Sequence, residues 1–307
     1  MRIAAVIVTF NRENKIEKAI TSLFNNEREP DMVIVINNNS TDGTAQILKR
    51  ISSDNEKVKI FNTNTNVGGS GGFCIGIKKA YELKATHIWI MDDDSYADEF
   101  SLSYLVDSYN KLDAIHKLGF VCSRVDWTDG GICEMNQPVT SWNWMRLFSK
   151  DLPVVQVESC SFVSCFFSKE IVEELGLPLF DFFIWFDDVE FTKRISNHYP
   201  CFAIMNSRVT HDIPKNEGVF FSSINDNNLW KYKFGAINES WYRFKKESPL
   251  HWFIFLIKKN IEMIKGRVRA IHIFLINIGF IKGVLKKHKI LTINELETNG
   301  MLKEKNL

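Results

Sequence analysis

Across the first hundred residues, short β-branched runs alternate with segments of helical spacing, and each run ends in a cluster of polar side chains. Ile3 to Val8 is a continuous apolar run, after which Ile16, Ala19, Ile20 and Leu23 fall on one face of a helix over Lys15 to Asn25. Met32 to Ile36 and Val58 to Phe61 read as the second and third strands, with a helix over Ala45 to Ile51 between them. A helix over Phe73 to Leu83 then leads to a fourth strand, His87 to Met91. Strands alternating with helices predict a parallel α/β sheet, in which ligands gather beyond the carboxyl ends of the strands. Four segments occupy those ends: Thr9-Phe10-Asn11-Arg12, Asn37-Asn38-Asn39, Asn64 to Gly72, and Asp92-Asp93-Asp94. One crevice can collect all four.

The middle of the chain carries further strand signals at Gly119 to Arg124, Val154 to Val157 and Ser161 to Phe167, broken by an aromatic loop with Trp127, Trp142, Trp144 and Phe148. Asp187-Asp188-Val189-Glu190 opens a helix to about Asn197, and His211 follows the strand-like Cys201 to Met205. The character changes from about Trp230. Between Leu250 and Lys289 there are nine Lys and Arg against one acid, Glu262, interleaved with Trp252, Phe253, Phe255, Phe274 and Phe280. The whole chain balances 38 basic against 37 acidic side chains, so the remainder is net acidic. A composition that is 45% hydrophobic and 24% charged excludes disorder and collagen-like repetition, and 307 residues suffice for one large domain with an appendage. The apolar stretches Trp252 to Ile257 and Ala270 to Ile281 fall short of the roughly 18 to 20 residues that span a bilayer, and the N-terminal run is too short for a signal peptide. The six cysteines show no zinc-ligand spacing and read as small reduced core residues.

Three constellations can carry chemistry. Adjacent carboxylates repel unless a cation or solvent neutralises them, and alternate residues of extended chain project to one side, so Asp92 and Asp94 can share a divalent ion. The alternative is a solvated turn in which Asp94 or Ser95 caps a helix. The Gly68-Gly69-Ser70-Gly71-Gly72 cluster is either a flexible linker or a place where backbone approaches a ligand, with helix N-terminal amides open to an anion. It is neither a P-loop nor a dinucleotide fingerprint, since no Gly-Lys-Ser/Thr follows and Cys74 stands where a third glycine belongs. In Asp187-Asp188-Val189-Glu190, Asp187 as N-cap and Glu190 as third helical residue form a capping box, which leaves Asp188 over. With acids beside it and Trp185 and Phe186 limiting water, Asp188 suits a general base, or it merely complements the helix dipole. His211 alone is a structural histidine or a ligand.

Taken in order, Val8-Thr9-Phe10-Asn11-Arg12, Asn38 to Thr44, Asn66 to Phe73, Met91-Asp92-Asp93-Asp94, Trp185 to Phe191 and His211-Asp212 resemble the family 2 inverting glycosyltransferases of GT-A fold. Within that family the chain is most similar to bacterial galactofuranosyltransferases and their rhamnosyltransferase relatives, over roughly residues 1 to 240. The resemblance implies an α/β GT-A domain, Rossmann-like with a mixed central sheet, over 1–240. It is followed by a C-terminal amphipathic, helical, basic, membrane-associating segment over 241–307. It further implies that Thr9, Phe10, Asn11, Arg12, Asn38, Asn66, Asp93 and the segment Gly69, Ser70, Gly71 and Gly72 line the nucleotide and donor sugar. Asn38 stands where many relatives carry an acidic residue that reads the base. Asp92, Asp94 and His211 would hold Mn²⁺ or Mg²⁺, Asp188 would be the base, and Trp185 and Asp187 would lie near the acceptor.

The chemistry implied is direct displacement: a cation stabilises the departing diphosphate while one carboxylate takes the proton of the attacking hydroxyl. The expected reaction moves galactofuranose from a UDP-sugar donor, UDP-galactofuranose, to a cell-surface polysaccharide or lipid-linked glycan. The rival within the class is a rhamnosyltransferase using dTDP-rhamnose. A sugar nucleotidyltransferase would want a glycine-rich basic signature near the N-terminus, which Thr9-Phe10-Asn11-Arg12 lacks. A non-catalytic membrane adaptor would have no reason to keep Asp92, Asp94, Asp188 and His211 together. The basic aromatic tail suggests an anionic membrane surface as a partner and a peripheral position on the inner face of a bacterial cytoplasmic membrane. A homo-oligomer is compatible with it, and nucleic acid is not expected.

Overall fold

The computed structural model describes residues 1–303. In chain order its elements are β1 (Ile3–Thr9), α1 (Ile16–Phe24), β2 (Met32–Asn37), α2 (Thr44–Asp54), β3 (Val58–Asn62), α3 (Gly68–Glu82), β4 (His87–Asp92), β5 (Ser95–Ala97), α4 (Ser101–Asp113), β6 (Val121–Trp127), β7 (Val139–Thr140), β8 (Val154–Ser159), β9 (Cys165–Ser168), α5 (Lys169–Leu175), α6 (Asp187–Ser196), β10 (Phe202–His211), α7 (Leu229–Tyr242), α8 (Pro249–Lys265) and α9 (Ala270–Leu285). One mixed sheet runs in the order β3-β2-β1-β4-β9-β6-β10-β8-β7, with β5 pairing β10. The strands β3, β2, β1 and β4 are mutually parallel, and β9 runs antiparallel to both β4 and β6.

Every residue of β1 and β2 is buried, as their unbroken apolar runs require of strands covered on both faces. Alternate residues feed two cores: Ala4, Val6 and Val8 join α3, while Ile3, Ala5 and Ile7 join α1 and α4. All six cysteines are buried and free.

Three boundaries differ from the sequence expectation by more than three residues. The helix expected from Phe73 begins at Gly68, so the glycine cluster forms its first turns. A Cβ at Gly72 or Gly76 would collide with Val8 or Val6, so these glycines let α3 lie close on β1, which outweighs the roughly 1 kcal/mol that glycine costs in a helix relative to alanine. The strand expected from Ser161 begins only at Cys165. The strand expected to end at Met205 continues as β10 to His211, through a shift in register between Ile204 and Arg208.

α7 and α9 pack together around Ala236, Ile276 and Phe280, with Phe255 and Met263 of α8 in the same cluster and Trp185 packed against it. The boundary expected at residues 240 and 241 falls in the last turn of α7. After α9 the chain returns to the α3 side of the sheet, where Ile293 and Leu296 enter the core and Leu302 bridges to Thr63. Of the segment 241–307, residues 304–307 lie outside the described residues. No helix among the described residues is long and apolar enough to cross a membrane.

Candidate active site

Parallel pairing sets Val8 opposite Asp92, so β1 and β4 end side by side and Thr9-Phe10-Asn11-Arg12 meets the aspartates. The chain turns through Asp93 and Asp94 into β5, whose Ser95 is registered with His211 at the end of β10. This brings together what the sequence keeps more than a hundred residues apart. His211 Nε2 lies 3.1 Å from Asp94 Oδ1, and one ligand atom from each of Asp92, Asp94 and His211 falls within 4.8 Å of the others. On its far side His211 Nδ1 is 2.7 Å from Asn136 Oδ1. That amide oxygen can only accept, so the imidazole carries hydrogen on Nδ1 and Nε2 is aimed at the carboxylates.

The acids are crowded. Burial, with Asp94 beside it, pushes the Asp92 carboxyl up to about 7. Asp93 is raised by burial to about 6, against the pull of Arg12. Burial would lower His211, but its bonds to Asp94 and Cys133 and the charge of Asp92 lift it to about 10. A proton on His211 thus supplies positive charge among these carboxylates. Arg12 reaches Asp93 at 3.1 Å and Asp94 at 3.4 Å, while the Phe10 N–H donates to Asp93 at 3.3 Å. Asp93 therefore ties the loop after β1 to the end of β4.

Of the other residues expected at the nucleotide and donor sugar, several have their polar atoms occupied by the chain itself. Asn11 is left-handed (φ 53°), with its side-chain oxygen accepting the Thr41 N–H at 2.8 Å, which joins the loops after β1 and β2. Buried Asn38 accepts from the Val67 N–H at 2.9 Å and donates to the Gly68 carbonyl at 2.9 Å, fixing the start of α3. Asn66 accepts the Gly68 N–H at 2.8 Å. The Ser70 hydroxyl donates to the Leu179 carbonyl at 2.7 Å. A Cβ at Gly71 would press on Val67 and Phe180, whereas one at Gly69 would meet only the Phe183 carbonyl, at 3.9 Å.

The segment before α6 departs from the sequence expectation. The expected capping box is absent: Asp187 is the first residue of α6, and left-handed Phe186 (φ 71°) is its N-cap. Glu190 instead pairs with Arg194 at 2.9 Å, because that guanidinium is already anchored on the carbonyls of Leu175 and Leu177. Asp187 is buried and its carboxyl is raised well above the ordinary range by burial and by Asp188. Asp188 is half-buried, and burial lifts it to about 6. One of its oxygens accepts its neighbour Val189's N–H at 2.7 Å; the carboxylate has no other hydrogen bond among the described residues. The Asp188 charge also acts to raise Asp92, after the larger effects of burial and of Asp94.

Phe183, Trp185 and Phe186 all have positive φ, a conformation that costs bulky residues on the order of 1–3 kcal/mol each. Neither Asn136 nor Asn238, which contacts this segment from α7, was marked by the sequence. The one available signal for Asn238 was a poor helix former inside a helical run.

The sequence of residues 4–176 matches the family described as Glycosyl transferase family 2. The galactofuranosyltransferase GlfT1 of Mycolicibacterium smegmatis is 26% identical over 213 residues, which cover 63% of this chain and 65% of that protein. The chain therefore matches just under two thirds of that relative's length. A GalNAc(5)-diNAcBac-PP-undecaprenol beta-1,3-glucosyltransferase of Campylobacter jejuni is 29% identical over 111 residues, 36% of this chain and 35% of its own. Among solved structures, GalNAc-T7 with UDP, GalNAc and Mn²⁺ superposes with a TM-score of 0.61 at 16% identity, covering 92% of this chain and 56% of that one. S. aureus TarS 1-349 in complex with UDP superposes with a TM-score of 0.53 at 15% identity, covering 92% and 89%. At these identities the likeness is one of fold.

Proposed function

The chain belongs to glycosyl transferase family 2 and has the GT-A fold, and from that premise we propose an inverting, metal-dependent transfer of galactofuranose from UDP-galactofuranose to a hydroxyl of a cell-surface polysaccharide or lipid-linked glycan. What supports it is the Asp92, Asp94 and His211 cluster, together with an Asp188 whose charge bears on Asp92 and which keeps an oxygen free of hydrogen bonds among the described residues. The similarity to a galactofuranosyltransferase supports the sugar.

Two carboxylates and an imidazole turned inward by Asn136 form a donor set suited to Mn²⁺ or Mg²⁺. Bound there, a divalent cation supplies Lewis-acid stabilisation of the charge that develops on the departing diphosphate. Asp188 accepts the proton of the acceptor hydroxyl as its oxygen bonds to the anomeric carbon. The bond from that carbon to the diphosphate oxygen breaks on the opposite face, and the electron pair leaves with UDP. A single displacement inverts the anomeric centre and needs no covalent intermediate. Trp185 and Asp187 flank the acceptor side, and the loop after β1, with Asn38, Asn66 and the start of α3, frames the nucleotide.

The donor is testable without an acceptor, because a ligand that binds only the native state stabilises it by mass action. In Mn²⁺, UDP-galactofuranose at one hundred times its Kd is expected to add about 2.7 kcal/mol and raise Tm by roughly 5 °C, with dTDP-rhamnose giving no comparable shift. Protection by dTDP-rhamnose and not by the UDP-sugar reverses the assignment.

The partner proposed for the C-terminal helices is an anionic bilayer. On α8, Leu250, Phe253, Ile257, Ile261 and Ile264 are exposed at helical spacing, and α9 adds Phe274 and Leu285. Beside them Lys258, Lys265, Arg267, Lys282, Lys286 and Lys287 are exposed and form no ion pair among the described residues, whereas Lys259, Arg269 and Lys289 each have an acidic partner. A second copy would set these like charges against one another; anionic headgroups offer about 1 kcal/mol per base. The protein is expected to float with phosphatidylglycerol liposomes at low salt and not with phosphatidylcholine, and to be released by salt. Failure to float at low salt removes this partner, and concentration-dependent dimerisation through the same face would replace it.

A further inference from the structure

We propose that Asn238 is a positioning residue that sets where Asp188 stands, by clamping the backbone of residues 182–186 from α7. The Asn238 side chain is 1% exposed, and its amide nitrogen lies 2.9, 3.2 and 2.9 Å from the carbonyl oxygens of Phe182, Ile184 and Trp185. In ordinary extended chain successive carbonyls point to opposite sides, so three of them meet a single nitrogen only if the backbone is folded back on itself. Phe183 does this. It has φ 63° and ψ −61°, and the Ile184 N–H donates to the Phe182 carbonyl at 2.7 Å, a γ-turn of the rare, positive-φ kind. Left-handed Trp185 and Phe186 follow, and Phe186 is itself the N-cap of the helix that carries Asp188 at its second position.

Aromatic side chains rarely hold such angles unless their surroundings over-determine them. The other contacts of α7 with this segment are apolar: Phe234 stacks on Phe183 at 4.8 Å, Tyr232 meets Trp185 edge-on at 4.8 Å, and Gly235 leaves room for the Trp185 ring. These fill space without fixing which way a carbonyl points. Asn238 is the directional contact. Outside α7, the Phe183 carbonyl also accepts the Ser70 N–H at 3.2 Å from α3, and the Phe182 N–H donates to the Leu179 carbonyl at 3.0 Å. The Asp92, Asp94 and His211 cluster hangs on β4 and β10, outside this arrangement.

The inference rests on Asp188 as the base, and the two can fail separately. In the full chain with Mn²⁺, Asn238→Leu, which keeps the volume and removes the donors, is tested for UDP affinity, for turnover of UDP-galactofuranose with an alkyl galactofuranoside as acceptor, and for amide hydrogen exchange. Misplacing a catalytic group by about 1 Å can cost on the order of 10²-fold, so turnover at saturating donor is expected to fall by about that factor while UDP affinity stays within about twofold. Exchange is expected to accelerate in residues 182–190 and to stay unchanged in residues 88–97. Wild-type turnover, or a loss of UDP affinity equal to the loss of turnover, overturns the positioning role. Should the leucine variant fail to fold, Asn238→Ser, which keeps one donor, is expected to give the same split at smaller size. If Asp188→Ala turns over normally the base assignment is lost, and the exchange pattern still decides whether Asn238 clamps the segment.

Discussion

Alanine in place of Asp188 is expected to lower sugar transfer by about 10²- to 10⁴-fold, the range that a positioned general base contributes, while UDP and Mn²⁺ still bind. The acceptor hydroxyl is a poor nucleophile until its proton is taken, and Asp188 is the acid at the start of α6 that combines partial exposure with a free oxygen. Its neighbour Asp187 is buried, away from where an acceptor hydroxyl could reach it, and burial and the Asp188 charge raise its carboxyl. The same geometry fixes a pH signature. A base works only when ionised, and burial lifts Asp188 to about 6. Turnover is therefore expected to decline as pH falls through about 6, approaching a tenfold loss per unit below it, where an ordinary aspartate would stay ionised to about pH 4. Initial rates of the wild type between pH 4.5 and 8, with UDP binding followed in parallel, check this. Near-normal turnover by Asp188→Ala would falsify the base assignment, and an acid limb below pH 5 would contradict its electrostatics.

What the sequence conveyed and what it withheld divide along a physical line. The first four strands were legible because parallel strands covered on both faces must be apolar without interruption, and Asp92 to Asp94 stood out because they end such a strand. His211 could not be assigned to a strand end, since the register shift between Ile204 and Arg208 interrupts the pattern that marks β10. The start of α3 at Gly68, five residues before the expected Phe73, is hidden for a similar reason: glycine disfavours a helix locally, and only packing against Val6 and Val8 compensates. The capping box failed because Arg194, bound to carbonyls of a different segment, captures Glu190. Asn136 and Asn238 act on partners 75 and 53 to 56 residues away, so no local pattern reveals what they hold in place. Residues whose chemistry is local to a strand end can be read from sequence; residues that orient others across the fold cannot.

Removing the cation, by chelation or by Asp92→Asn or Asp94→Asn, is expected to reduce transfer by about 10³-fold, since a Lewis acid on a developing diphosphate is worth several kcal/mol. The stability of the same variant should move the other way. Burial and Asp94 raise the Asp92 carboxyl to about 7, so the folded protein binds that proton more tightly than the unfolded chain does. Its contribution to stability therefore declines as pH rises from the ordinary carboxylate range to about 7, and above that the ionised group is a net burden on the metal-free fold. Asparagine at position 92 lifts the burden, and metal-free Asp92→Asn is expected to melt no lower than metal-free wild type at pH 8. Mn²⁺ should then raise the Tm of the wild type, by neutralising the crowded acids, and leave the variant nearly unmoved. A merely structural aspartate predicts the reverse, a variant that melts lower and an Mn²⁺ response that survives. The crowding of three carboxylates is thus an expense the fold carries for a bound cation, and thermal scans with and without Mn²⁺ read it directly.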